Sequence, residues 1–247
     1  MSIRTAAQMR RLRDAGRVVA RTLDALQRAI APGVSTQELD EVAGAVFERE
    51  GARSGPILTY NYPGAVCISV GSEVVHGIPG PRLLRDGELV SIDVAAEVGG
   101  YYADAARTIP VGQPSKPALA LVEATRAALA CGIRAAQPGV TLRQVGAGIE
   151  QTAKARGFSV VRELTGHGIG RKMHEAPTVY NWAAPRSGLR LTPGLVLTIE
   201  PMLVAGNPEI TIQPDGWTVV TVDNSLAAHE EHTIAVTERG PVILTLS

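Results

Sequence analysis

Cysteine is scarce in this chain. Only Cys67 and Cys131 occur in 247 residues, too few for a disulfide framework. The chain therefore reads as the product of a reducing compartment, the cytoplasm. Neither sign of charge is in excess: 24 Lys and Arg balance 24 Asp and Glu. No net field draws the chain to a specific nucleic acid or an anionic membrane. The Arg-rich start (Arg4, Arg10, Arg11, Arg13, Arg17, Arg21) reads as the solvated basic face of a helix. The N-terminus lacks the apolar centre of a signal peptide. No apolar run can span a bilayer; the best, residues 189–206, contains Arg190 and Glu200. A G-x-S-x-G elbow is absent, which argues against a serine nucleophile. TGHGIG (165–170) has neither the spacing nor the Lys-Ser/Thr of a phosphate loop. Cys67 alternates with Val66, Ile68 and Val70 and reads as a small buried or pocket-lining side chain. Cys131 falls in a helical apolar stretch and reads as core.

What is present is a repeat. Leu12, Val19, Leu23, Leu26 and Ile30 recur at helical steps. APGVST then stops that helix and caps the next, with Ser35 or Thr36 as N-cap, Glu38 in the first turn and Gly51 at the end. From Pro56 to Thr108 the texture turns to short β-like runs broken by Gly and Pro. Helix returns from Ala118. Residues 31–52 then resemble residues 137–158 without a gap, and GELVSIDV (87–94) resembles GLVLTIEP (194–201), which sets Asp93 on Glu200. The period is far too long for a solenoid. It predicts an α+β fold made as a duplication, with pseudo-repeats at roughly 5–110 and 115–240 in a single domain over 1–247. The two halves, related by a pseudo-twofold, would place their strands in one curved, mainly antiparallel sheet covered by helices on one side. The seam between halves is where a pocket is expected. No long apolar face is left over, which predicts a monomer.

Five residues on separate short segments can bind metal: Asp93 in LVSIDVA, Asp104 in YYADAAR, His167 in TGHGIG, Glu200 in LTIEP and Glu231 in EEHTIAV. Four carboxylates and one imidazole make a poor structural zinc site, which prefers thiolates. They suit a pair of divalent ions with a position left for water. Singly, each has an ordinary alternative: Asp93 a buried salt bridge, His167 a turn residue, Glu230 and Glu231 a solvated strand start. Asp104 follows Asp93 by eleven residues across EVGG, which suits adjacent antiparallel strands with both carboxylates on one face. The glycines around His167 let the backbone approach a neighbour closely and leave the imidazole uncovered. His76 in VVHGIPG and His174 before Glu175-Ala176-Pro177 read as exposed groups that either support the metal ligands from outside or face substrate.

VVHGIP, DGELVSIDV, YYADAARTI, GHGIGRKMHEAP, LTPGLVLTIEPM, DGWTV and EEHTIAVT together resemble the type I methionine aminopeptidases, in family order and over nearly the whole chain. The resemblance implies the pita-bread metallopeptidase fold. It implies a dinuclear centre held by Asp93, Asp104, His167, Glu200 and Glu231, with Asp104 and Glu231 bridging. Co, Mn, Fe, Zn or Ni would all suit such ligands. It implies attack of a metal-bridging water on the first peptide bond, with Glu200 as general base. His174 would meet the carbonyl oxygen as it gains charge, and His76 the substrate amide. Tyr62, Cys67, Met173 and Trp217 would form the methionine pocket. The substrate implied is the N-terminal peptide of nascent proteins with a small second residue; a transient ribosome contact also follows from the family, though no segment marks it.

The sequence departs from the commonest family pattern at four places. Met173 stands where Phe is frequent, Ala103 where Gly is, Val75 where Cys is, and Gly71 where Asn is, near a monovalent-cation site. None removes a metal ligand. Proline-cleaving relatives usually carry an added N-terminal domain, and type II enzymes an inserted helical subdomain; neither is visible here. A metal-free binding protein on the same scaffold would have lost ligands, and all five remain.

Overall fold

The computed structural model describes residues 2–246. Two helix pairs form the outer layer. α1 (Ala6–Ala29) and α2 (Thr36–Glu50) open the first half; α4 (Lys116–Ala135) and α5 (Leu142–Lys154) open the second. A one-turn helix, α3 (Gly55–Tyr60), lies between them. The β-like texture expected from Pro56 onward therefore begins later. Ser54 caps the Ile57 amide, and Pro56 sits where a helix tolerates it, in the first turn.

The duplication is visible in the caps. Ser35 and Glu38 form a capping box at α2; Thr141 and Gln144 form one at α5. Each satisfies two backbone donors that the helix start would leave unpaired. The preceding Gly33 and Gly139 both take positive φ, 89° and 84°, a turn that only glycine makes without strain. Beyond each turn the capping residue bridges a later segment, Ser35 to Leu83 and Thr141 to Arg190.

Each helix pair covers its own strands. Leu23, Leu26, Leu39 and Phe47 pack on Ile68, Val90, Ile92 and Ala105 in one core. Leu121, Leu129, Val145 and Ile149 pack on Leu197, Ile199 and Ile234 in the other. The exposed arginines of α1 lie on the solvent side of the first pair.

The first half's main sheet centres on the hairpin of strands Leu89–Val98 and Tyr101–Pro110, with Cys67–Val70 on the other flank of Leu89–Val98. Gly99 and Gly100 turn the hairpin with φ of 56° and 82°, the paired positive φ that a two-residue type I′ turn requires. The second half's main sheet runs Gly240–Ile243, His232–Thr237, Val196–Ile199, Thr165–Gly168, Glu175–Tyr180. Every strand pairing among the described residues is antiparallel. Two three-stranded groups complete the layer. The hydrogen-bond ladder is not continuous across the seam. There strand Tyr101–Pro110 faces residues 229–233, joined on the main chain where the Glu231 N–H donates to the Ala106 carbonyl at 2.9 Å.

Candidate metal centre

The seam opens into a cavity of about 420 Å³. All eleven residues singled out from the sequence line it: Tyr62, Cys67, His76, Asp93, Asp104, His167, Met173, His174, Glu200, Trp217 and Glu231. A larger groove, about 910 Å³, runs past Glu73, Arg82 and Asp215. It holds none of the metal-type clusters found among the described residues, so size alone is no guide to the chemistry.

Asp93 and Asp104 come from the two strands of the glycine hairpin. Asp93 pairs in register with Ala106, and Asp104 with Ala95. The side-chain period of two puts both carboxylates on one face. Asp104 is buried and Asp93 half-buried. Burial drives the Asp104 carboxyl well above the usual carboxylate range, and the charges of Asp93 and Glu200 add to the shift.

His167 lies on a strand, Thr165–Gly168, with a register shift at His167 and Gly168. The flanking glycines serve close approach, as expected. A Cβ at Gly166 would meet the Thr198 carbonyl at 2.8 Å, and one at Gly168 would overlap that of Ala176. The imidazole is not uncovered, however. It is 9% exposed, and the His174 ring covers it with centroids 4.0 Å apart. Burial lowers its pKa to about 3, so it is neutral. Its Nδ1 lies 2.9 Å from the Gly168 carbonyl, which can only accept. That fixes the proton on Nδ1 and leaves Nε2 a lone pair, the form in which histidine binds metal.

Glu200 follows the end of strand Val196–Ile199 and Glu231 precedes the start of its neighbour His232–Thr237, beside the pair Ile199 and His232. Glu200 Oε1 accepts the Thr198 hydroxyl at 2.6 Å and lies 3.5 Å from His167 Nε2. Burial lifts the Glu200 carboxyl to about 8, against the pull of the Thr198 hydrogen bond. Glu231 is 2% exposed and also pushed up by burial, then by Asp104 and Glu200. Neither Glu230 nor Glu231 is solvated, as a strand start would suggest. Glu230 turns away from the cavity and meets Arg126 Nε at 3.0 Å.

Two groups of ligand atoms converge within 4.8 Å: Asp104, His167 and Glu231, and Glu200, His229 and Glu231. Glu231 is common to both. Asp93 lines the same cavity outside these two groups. Buried polar atoms without a hydrogen-bond partner include Asp104 Oδ1, Glu231 Oε1 and His229 Nε2. Unpaired buried acceptors are costly. Clustered carboxylate oxygens beside imidazole lone pairs fit divalent cations, which would neutralise the charge and complete the bonding.

The cavity walls carry the remaining groups. The Tyr62 hydroxyl donates to the Gly77 carbonyl at 2.7 Å, and its ring meets Trp217 edge-on at 5.2 Å. Cys67 sits opposite Asp93. Burial raises its thiol well above the ordinary value, so it is no thiolate nucleophile. His76 and His174 are solvent-accessible, as expected, yet the surrounding cavity wall lowers both pKa values.

Sequence reasoning missed His229, Tyr60, Thr198 and Thr233. His229 is fully inside the seam, 3.7 Å from Glu231, with its pKa lowered to about 4 by burial. Its place on a short strand of small residues, Ala227–His229, was the available signal. Tyr60 reaches His174, and the two threonines reach ligand residues through contacts that no local pattern encodes.

Residues 10–238 match metallopeptidase family M24. Methionine aminopeptidase 1 of Bacillus subtilis (strain 168) is 46% identical over 235 residues, 95% of this chain and 94% of its own. Methionine aminopeptidase of Escherichia coli (strain K12) is 43% identical over 248 residues, 100% of this chain and 94% of its own. The crystal structure of methionine aminopeptidase from Thermotoga maritima matches with a TM-score of 0.97 and 37% identity, each chain fully covered. The Xaa-Pro dipeptidase from Bacillus anthracis shares the fold, with a TM-score of 0.80 and 24% identity over 99% of this chain and 62% of its own. The chain belongs to metallopeptidase family M24, among the methionine aminopeptidases.

Proposed function

We propose that the seam cluster is the centre with which this chain carries out the metal-dependent removal of N-terminal methionine. The observation that carries this is the convergence of Asp104, His167, Glu200 and His229 on Glu231, with orphaned buried acceptors among them. Asp93, Asp104, His167, Glu200 and Glu231 would hold two divalent ions. Such ions would supply an acidified water near neutral pH.

The chain's own groups do the rest. Thr198 holds Glu200 Oε1 at 2.6 Å, leaving Oε2 free to accept the water proton. His174, neutral at working pH, donates to the scissile carbonyl as its oxygen gains charge. His76, held at a positive φ of 59°, faces the substrate amide. The carboxylate-rich wall draws the free α-amine, which restricts action to the chain end. Tyr62, Cys67, Met173 and Trp217 offer a flexible apolar surface suited to a thioether. Both halves contribute ligands, which supports a single catalytic unit. No helix among the described residues is long and apolar enough to cross a membrane. We place the activity in the cytoplasm, on nascent chains.

The test is release of methionine from Met-Ala-Ser by chelated protein titrated with Mn, Co or Fe(II), beside a Leu-Pro peptide. Metal-dependent cleavage of the Met peptide alone is expected. Cleavage of the proline peptide instead, or of neither, overturns the reading.

A further inference from the structure

The seam is built on two reciprocal threonine clasps. The Thr233 hydroxyl accepts the Asp104 N–H at 2.9 Å and donates to the Asp104 carbonyl at 2.7 Å. From the other half, the Thr108 hydroxyl accepts the His229 N–H at 2.8 Å and donates to the His229 carbonyl at 2.8 Å. All four bonds are buried. Asp104 and Thr108 are four residues apart on one side, His229 and Thr233 four apart on the other. Midway, the Glu231 N–H meets the Ala106 carbonyl. The two clasps are therefore arranged reciprocally about the Glu231–Ala106 bond.

Their position gives them a task. Asp104, Ala106 and Thr108 point their backbone groups outward from the edge of the first sheet. A hydroxyl that both accepts and donates satisfies an edge residue completely. At Asp104 and His229 the facing segments are therefore joined through side chains, on either side of the one direct pairing of Glu231 with Ala106. Asp104, His229 and Glu231 all line the cavity beside these contacts. At Thr108 the edge groups are also met by side chains, the N–H by Glu230 and the carbonyl by Arg126.

We infer that Thr108 and Thr233 are positioning residues, a paired clasp that sets the spacing of the Asp104 and Glu231 carboxylates across the seam. This rests on the reading of those carboxylates as metal ligands. Outer groups that orient ligands typically carry about 10–100-fold in metal affinity.

The experiment measures Mn²⁺ affinity of folded protein by calorimetric titration, independent of turnover. Thr233→Val removes the hydroxyl at nearly constant shape; Thr233→Ser keeps it. Thr125→Val is the control, because its hydroxyl returns to the Leu121 carbonyl inside α4, away from the seam. Thr233→Val is expected to lower affinity about 10–100-fold, Thr233→Ser to restore most of it, and Thr125→Val to lower melting temperature with affinity intact. Where Thr233→Val fails to fold, Thr233→Ala and Thr108→Val read the same two clasps. Wild-type affinity in any folded clasp variant overturns the inference while the metal centre stands. No Mn²⁺ binding by the wild-type protein overturns the reading of the site, and the inference with it.

Discussion

The Tyr60 hydroxyl lies 2.7 Å from Nδ1 of His174, with ring centroids 5.5 Å apart. The environment lowers the His174 pKa, so the ring is neutral near pH 7. With the phenol as donor to Nδ1, the ring proton sits on Nε2. In the proposed mechanism Tyr60 would thereby present His174 as a donor to substrate. A neutral hydrogen bond is worth about 1 kcal/mol, roughly fivefold in rate. Tyr60→Phe is predicted to lower kcat by about that factor with KM little changed. A rise in KM at constant kcat would show that Tyr60 only shapes the pocket.

Glu200→Gln separates chemistry from structure. Glutamine keeps an acceptor for the Thr198 hydroxyl but cannot take a proton. Loss of a general base costs about 10²–10⁴ in kcat. Metal-free stability should stay within about 1 kcal/mol of wild type, measured by urea unfolding. A large loss of stability with modest loss of rate would reverse the assignment.

Stability of the metal-free protein should fall as pH rises from 6.5 to 8. Burial raises Glu200 to about 8 and Glu230 to about 7, and lifts Asp104 and Glu231 as well. The native state then holds protons that the unfolded chain has released. This contribution is complete below the unfolded carboxylate pKa and is lost as pH rises toward the folded one. His167 and His229, lowered to about 3 and 4, act oppositely. Their stability is lost in acid, and is complete once the unfolded histidines deprotonate near about 6.5. Above that pH only the carboxylates act. Saturating Mn²⁺ should reverse the slope, because cation binding releases those protons. Calorimetric melting with EDTA and with Mn²⁺ checks this; a rising melting temperature in EDTA over that window contradicts it.

Gly16 marks a purely structural requirement. A Cβ there would overlap the Leu244 carbonyl oxygen, where α1 meets the C-terminal segment. Gly16→Ala should cost about 1–3 kcal/mol by forced displacement, read by urea unfolding, with Mn²⁺ affinity unchanged. Reduced affinity would tie this contact to the seam.

Much of this site can be read from residue order. Asp93 and Asp104 declare themselves because a hairpin has period two and its Gly99-Gly100 turn is visible. The duplication shows because Pro32 and Pro138, and the two capping boxes, obey one local code. Thr233 and Thr108 do not show, since a strand threonine looks the same whether it faces solvent or clasps a backbone over 120 residues away. His229 stays hidden for the same reason: its neighbours Ala227 and Ala228 say only that space is tight. The imidazole of His167 reads as uncovered because its cover, His174, is supplied by the fold rather than by the glycines beside it.

The most direct measurement is anomalous diffraction from crystals of the Mn²⁺-loaded protein. Two peaks bounded by Asp93, Asp104, His167, Glu200 and Glu231, with Asp104 and Glu231 between them, are the predicted result. Peaks elsewhere, or an empty seam at saturating Mn²⁺, would contradict the account.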